Sequence, residues 1–273
     1  MYIGLFLTVL LSLCFLSGCN DQGATADEAK DRETLYQVST LNALMQGYYD
    51  GVVTVGDLLE AGDTGVGTFH ALDGEMILLD GQVYQAKADG SVEKKEKDVT
   101  VPFAAVTYFE DDLTLSDMVG ISDIEALKGV LDQKVLETTG NPNLFYMAKI
   151  TGDFAMVHVR SVPPQEKPYK PLKEIAQTQP EFEYEDLSGT IVAVRCPDYV
   201  AGINMPGWHL HFISADGTKG GHLLDASLKT GEGQVDFTNE FQMFLPVDGA
   251  FGKLALANDM AQDTQSVEGK QEK

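Results

Sequence analysis

Three histidines, His209, His211 and His222, flank the turn-forming pair Asp216-Gly217, and their spacing constrains the chain more tightly than any other feature. In an extended segment His209 and His211 share one face, because side chains alternate with period two. Asp-Gly between apolar runs is a strong two-residue hairpin signal, and folding the chain symmetrically about it sets His222 opposite His211. The chain has five histidines in all, so bringing three of them together is selective. Three imidazoles with a fourth position left open is the usual donor set of catalytic zinc. The expectation depends on register, since a one-residue slip turns a side chain to the other face and Gly220-Gly221 could host a bulge.

The first eighteen residues carry no charge, and an apolar run over 3–16 leads into Leu16-Ser17-Gly18-Cys19. That run is shorter than the roughly 20 residues of an ordinary membrane span. It reads as a secretory signal over 1–18. Its last four residues resemble a bacterial lipoprotein signal in which Cys19 becomes the lipidated first residue, although no Lys or Arg leads the segment. Residues 19–34 are polar and read as a flexible tether. The expectation is an exported bacterial protein, periplasmic or at the cell surface, anchored by lipid on Cys19. Cys196 would then be the only unmodified cysteine, so a disulfide within the chain is not available and stability must come from a core. About 240 mature residues suffice for that.

With 42 acidic and 19 basic residues the formal charge is -23. Such a field repels nucleic acid and anionic lipid. An anionic substrate would depend on local positive charge, from a metal or from individual arginines.

Residues 35–45 have apolar spacing that predicts a helix. Thr54 followed by Asp57 predicts a capped short helix. Gly65-Val66-Gly67-Thr68-Phe69 lacks the glycine arrangement of a dinucleotide site. Asp73-Gly74 and Asp80-Gly81 punctuate an antiparallel meander, 101–109 reads as a strand, and Ser122 with Glu125 marks a capping box before a helix over 123–136. Strand and turn are expected over 145–154, and an alternating strand follows over 154–160, with His158 and Arg160 on the same face as Phe154 and Met156. Pro163, Pro164, Pro168 and Pro171 separate this part from a second half rich in strands: 189–195, 207–214, 221–228 and 240–245. A domain boundary is placed near Pro171, giving an N-terminal α+β domain over 35–170 and a β-rich, metal-binding domain with a catalytic tail over 171–273.

Two charged residues sit where apolar ones are expected. Glu75 follows a turn and opens an apolar strand, and Arg160 ends an alternating one. Either could be an ordinary rim residue. Together with zinc they would supply a Lewis acid, a proton-carrying carboxylate and a fixed cation.

The chain resembles the α-acetolactate decarboxylase family over nearly all of 35–268. The resemblance rests on Gly65-Val66-Gly67-Thr68-Phe69 with Leu72-Asp73-Gly74-Glu75-Met76, on Phe154-Ala155-Met156-Val157-His158-Val159-Arg160, and on Pro206-Gly207-Trp208-His209-Leu210-His211-Phe212 followed by Gly220-Gly221-His222. It implies an α+β fold of two closely packed domains on mixed or antiparallel β-sheets, with the metal site on a C-terminal β-hairpin. It also implies zinc-dependent conversion of (S)-2-acetolactate, a small anionic 2-hydroxy-3-keto acid, into (R)-acetoin and carbon dioxide in acetoin biosynthesis, by a homodimer. His209, His211 and His222 would bind Zn²⁺, while Glu75, Arg160 and a glutamate of the tail, Glu268, would be catalytic. Thr68 would shape or ligate the site through its backbone. The local residues alone would also serve a zinc hydrolase using metal-bound hydroxide, or a periplasmic metal-binding module without a reaction.

Overall fold

The computed structural model describes residue 1 and residues 30–268. The expected signal segment apart from Met1, Cys19 and most of the tether therefore lie outside the described residues. Met1–Lys30 and Asp31–Lys273 form two units, and every element below belongs to the second. Order begins earlier than the expected end of the tether, because Arg32 donates to the Phe109 carbonyl and Asp31 accepts from the Glu33 N–H.

The strands, in chain order, are β1 (Thr34–Val38), β2 (Val53–Thr54), β3 (Thr64–Thr68), β4 (Glu75–Leu79), β5 (Gln82–Ala86), β6 (Val92–Lys94), β7 (Thr100–Val101), β8 (Phe103–Thr107), β9 (Leu113–Ile121), β10 (Phe145–Arg160), β11 (Glu181–Cys196), β12 (Gly207–Ser214), β13 (Gly220–Thr238) and β14 (Glu240–Phe244). The α-helices are α1 (Leu41–Met45), α2 (Val55–Leu59), α3 (Ile124–Thr139), α4 (Leu172–Ala176) and α5 (Ala261–Glu268). No helix among the described residues is long and apolar enough to cross a membrane.

One mixed sheet has the order β14-β1-β8-β3-β4-β5-β6, antiparallel except for the parallel β1–β14 pair. The other runs β10-β11-β12-β13-β9, and β10 also pairs with β13, so four of its strands close on themselves. Helix α3 packs Leu127, Leu131 and Val135 into the apolar interior of that closed sheet with Phe154, Ile191 and Phe212. Between the sheets, Val66, Ile77 and Ala105 meet Val192, Val194 and Ile213. The division of the chain does not follow the expected boundary at Pro171. β9 and β10 precede it yet belong to the second sheet, and β14 follows it yet completes the first. The prolines interrupt pairing without ending a core, because β10 and β11 pair on either side of them.

Local signals translate unevenly. The two-residue link between β4 and β5 has positive φ at both Asp80 (50°) and Gly81 (79°), the backbone twist that hairpins prefer. Thr54 and Asp57 exchange capping bonds as expected. The expected helix over 35–45 is instead a strand followed by one helical turn, because Thr34–Val38 is stitched between β14 and β8 and Thr40 caps α1 only afterwards. Helix α3 is capped by Asp123 rather than Ser122, its side chain accepting from the Ala126 N–H.

Candidate metal centre

β12 and its neighbour β11 are both fastened to α3. Trp208 Nε1 donates to Asp132 of α3 at 2.8 Å, and Arg195 of β11 donates to the same carboxylate at 2.9 Å. Across β12 and β13 the register is His211↔His222, Phe212↔Gly221 and Ile213↔Gly220, as symmetric folding about Asp216-Gly217 requires. The turn itself differs from the two-residue form expected. The hairpin closes where Ser214 N–H donates to the Lys219 carbonyl, and residues 215–218 form the loop, with Gly217 N–H on the Ser214 carbonyl and Thr218 N–H on the Asp216 carboxylate. Register survives because the loop remains centred on the same two residues.

His209, His211 and His222 each turn one ring nitrogen into a common space, with all three atoms within 4.8 Å of one another. His209 Nε2 lies 3.1 Å from both His211 Nε2 and His222 Nδ1. The three residues are 8, 0 and 2 % exposed. Burial, reinforced by the positive charges of Arg160 and Lys128, pushes the His209 pKa down to about 3. That ring is therefore neutral near pH 7 and keeps a lone pair for a cation. His211 Nδ1 is 2.8 Å from the Met76 carbonyl, which can only accept, so the N–H sits on Nδ1 and Nε2 is left as donor atom. Buried imidazoles crowded this closely fit a divalent metal, which would give their converging ring nitrogens a common partner.

His222 also pairs with Arg160 across β10 and β13. The side chain of Arg160 is 3 % exposed, and its Nη1 donates to Glu75 Oε1 at 3.3 Å and to Gln179 Oε1 at 3.1 Å. Glu75 extends its other oxygen to within 3.6 Å of His211 Nε2. Thr68 is opposite Glu75 in the β3–β4 ladder, and its hydroxyl donates to the Gly74 carbonyl at 2.7 Å, holding the turn that presents the carboxylate. A cavity connects these groups, with Leu41, Leu44, Leu72, Phe103, Val162 and Leu172 as apolar wall and Thr68, Glu75, Arg160, His209 and His222 as polar wall.

The three histidines, Glu75, Arg160 and Thr68 are thus brought together. Glu268 ends α5, and its side chain lies outside the described residues. Its neighbour Val267 is buried with Leu41, Leu44, Phe103 and Leu172, so the helix end rests on the apolar wall of the cavity. One expected detail is reversed: Phe154 faces the interior of the closed sheet with Val157 and Val159, away from Arg160. A bulge between Phe154 and Met156 shifts the alternation. The Met76 carbonyl, Gln179 and the walls from α1 and α4 were not anticipated. A backbone carbonyl leaves no trace in side-chain pattern, and Gln179 follows a short helix with no motif around it.

Two packed sheets with a buried three-histidine centre at their junction define an α+β protein built around a divalent-metal site. The sequence pattern of the family described as alpha-acetolactate decarboxylase matches residues 35–258. The chain belongs to that family. It is 44% identical over 236 residues to an alpha-acetolactate decarboxylase of Methanosarcina mazei, covering 86% of this chain and 80% of that one. It is 41% identical to the enzyme of that name from Methylococcus capsulatus over 234 residues, 86% and 88% of the two chains. The crystal structure of alpha-acetolactate decarboxylase from Bacillus subtilis strain 168 superposes with a TM-score of 0.82 at 34% identity, covering 86% of this chain and 99% of that one.

Proposed function

We propose that the protein decarboxylates (S)-2-acetolactate to (R)-acetoin and carbon dioxide, with zinc held by His209, His211 and His222. The observation that carries this reading is the placement of Arg160 beside His222, which sets a fixed cation next to the metal-binding nitrogens inside one cavity. A substrate with a carboxylate beside a hydroxyl and a ketone matches that arrangement. When bound, zinc would supply Lewis-acid stabilisation of negative charge on the substrate's oxygens, worth several kcal/mol.

The chain's own groups perform the remaining tasks. Arg160 binds and orients the carboxylate, for which a planar guanidinium is suited. Breaking the bond to that carboxylate releases carbon dioxide and leaves its electron pair in an enediolate. A proton must then return to carbon on one face. Glu75, which lies between Arg160 and His211, would carry it, and Glu268 is the second candidate because α5 ends over the cavity. The walls from Leu41, Leu44, Phe103 and Leu172 keep bulk water from competing for the intermediate.

The test is turnover of racemic acetolactate by zinc-loaded protein, following carbon dioxide, acetoin and its chirality, beside ester and peptide substrates. Acetoin formation without hydrolysis is expected; hydrolysis alone would overturn the reading in favour of a zinc hydrolase. We further propose export as a lipoprotein with Cys19 as first residue, and assembly as a homodimer. Intact mass, fractionation and sedimentation check these, and a cytoplasmic chain retaining Met1 would reject export.

A further inference from the structure

We propose that Gln179 is a positioning residue for substrate binding, acting through Arg160. Arg160 ends β10, and its place relative to Gln179 is set by backbone pairing rather than by a free loop. Arg160 pairs with Glu181, and the next residue continues the ladder, Ser161 N–H donating to the Pro180 carbonyl at 3.2 Å. Ser161 is itself pinned, its hydroxyl donating to the Ala86 carbonyl at 2.7 Å. Gln179 thus lies two residues from the direct partner of Arg160, the diagonal position a long side chain reaches in an antiparallel pair.

The contact is chemically directed. A guanidinium only donates, so the Gln179 atom 3.1 Å from Arg160 Nη1 is the carbonyl oxygen. Two acceptors, Gln179 Oε1 from the segment before β11 and Glu75 Oε1 from β4, then meet on the same nitrogen. Glu75 also reaches toward His211, so it is shared between Arg160 and the metal-binding nitrogens. Gln179 holds the guanidinium without adding negative charge beside it. A neutral acceptor orients the cation and leaves its attraction for an incoming carboxylate intact, which a second carboxylate would weaken. Gln179 also lies three residues beyond the end of α4 at Ala176, and Leu172 of that helix lines the cavity.

This inference rests on the proposed binding of a substrate carboxylate at Arg160. The experiment is a double-mutant cycle of Gln179→Leu with Arg160→Ala, read by acetolactate kinetics and by calorimetric binding of the unreactive 2-hydroxyisobutyrate to zinc-loaded protein. A hydrogen bond to a charged group is worth about 1.5–3 kcal/mol, so kcat/KM and affinity should fall about ten- to a hundredfold in Gln179→Leu. Zinc content should not change. In the Arg160→Ala background the same substitution should have no further effect. Gln179→Glu should keep the position of Arg160 yet raise KM more than it lowers kcat. Wild-type behaviour of Gln179→Leu, or an equal loss with and without Arg160, overturns the proposal. Should the wild-type protein fail to turn over acetolactate, the functional reading falls and the binding cycle still decides whether Gln179 acts through Arg160.

Discussion

Arg160 and His222 face each other as paired residues of β10 and β13. The spacing between the buried guanidinium and the imidazole is therefore set by a β-ladder. A ladder holds such a distance more firmly than two loops could, which suits a reaction whose substrate must touch both groups at once.

Removing a ligand should abolish both metal and chemistry. His211 is fully buried and its Nδ1 donates to the Met76 carbonyl, so His211→Ala removes an imidazole donor whose direction is fixed. Several kcal/mol of lost Lewis-acid stabilisation corresponds to a fall of roughly a thousandfold in kcat. Elemental analysis and turnover are measured together. Full zinc occupancy in this variant would remove His211 from the ligand set.

Glu75→Gln separates proton return from metal binding. Positioned general acids contribute about 10²–10⁴-fold, and a slowdown in that range is expected with zinc retained. Acetoin should also lose enantiomeric purity, and deuterium uptake from heavy water should report an altered proton source. Unchanged rate and chirality would shift the role to Glu268, whose own Gln variant is the companion measurement.

Gly221 of β13 has φ of 150°, and a Cβ there would come within 2.5 Å of the Arg160 carbonyl of β10. Gly221→Ala should therefore push β10 and β13 apart. The expected cost is about 1–3 kcal/mol of stability. Zinc affinity should weaken with it, since His222 is the next residue. A variant with the wild-type unfolding midpoint and zinc affinity would show that the close approach is not needed.

Asp236 offers a pH test remote from the metal. Burial, then the negative charges of Asp112, Glu33 and Glu110, push its pKa from 3.8 up to about 8, against the lowering effect of the Glu110 N–H. The folded chain thus holds a proton that the unfolded chain has released. Stability from this group is full below about pH 4 and is lost as pH rises toward 8. Asp236→Asn should match the wild type at pH 5 less closely than it does at pH 4, and should be the more stable of the two at pH 8. Denaturant titrations at these values decide it, and identical pH slopes would show that Asp236 is ionised in the fold.

Much of the site was legible because strands encode it with period two. His209 and His211 declare their face by alternation, and Asp216-Gly217 fixes the register that brings in His222. Glu75 and Arg160 stood out as charges beside apolar runs. What stayed hidden was set by contacts distant in sequence. The strand at Thr34–Val38 reads as helical until β8 and β14 supply its partners, and the bulge near Phe154 has no residue that marks it. The sheet membership of β9, β10 and β14 is a matter of pairing across long stretches, which proline positions do not report.

The closed sheet joins itself along its shortest seam, since β12 and β13 share only the pairs beginning at His211↔His222. Two of the three histidines lie on one side of that seam and one on the other. A metal ion held by all three would act as a clasp on the barrel, so that loading the site and locking the hairpin become the same event. Slowed amide exchange on loading would then be concentrated at this seam, where ladder hydrogen bonds are fewest, and chelators would act on the fold as well as on the chemistry.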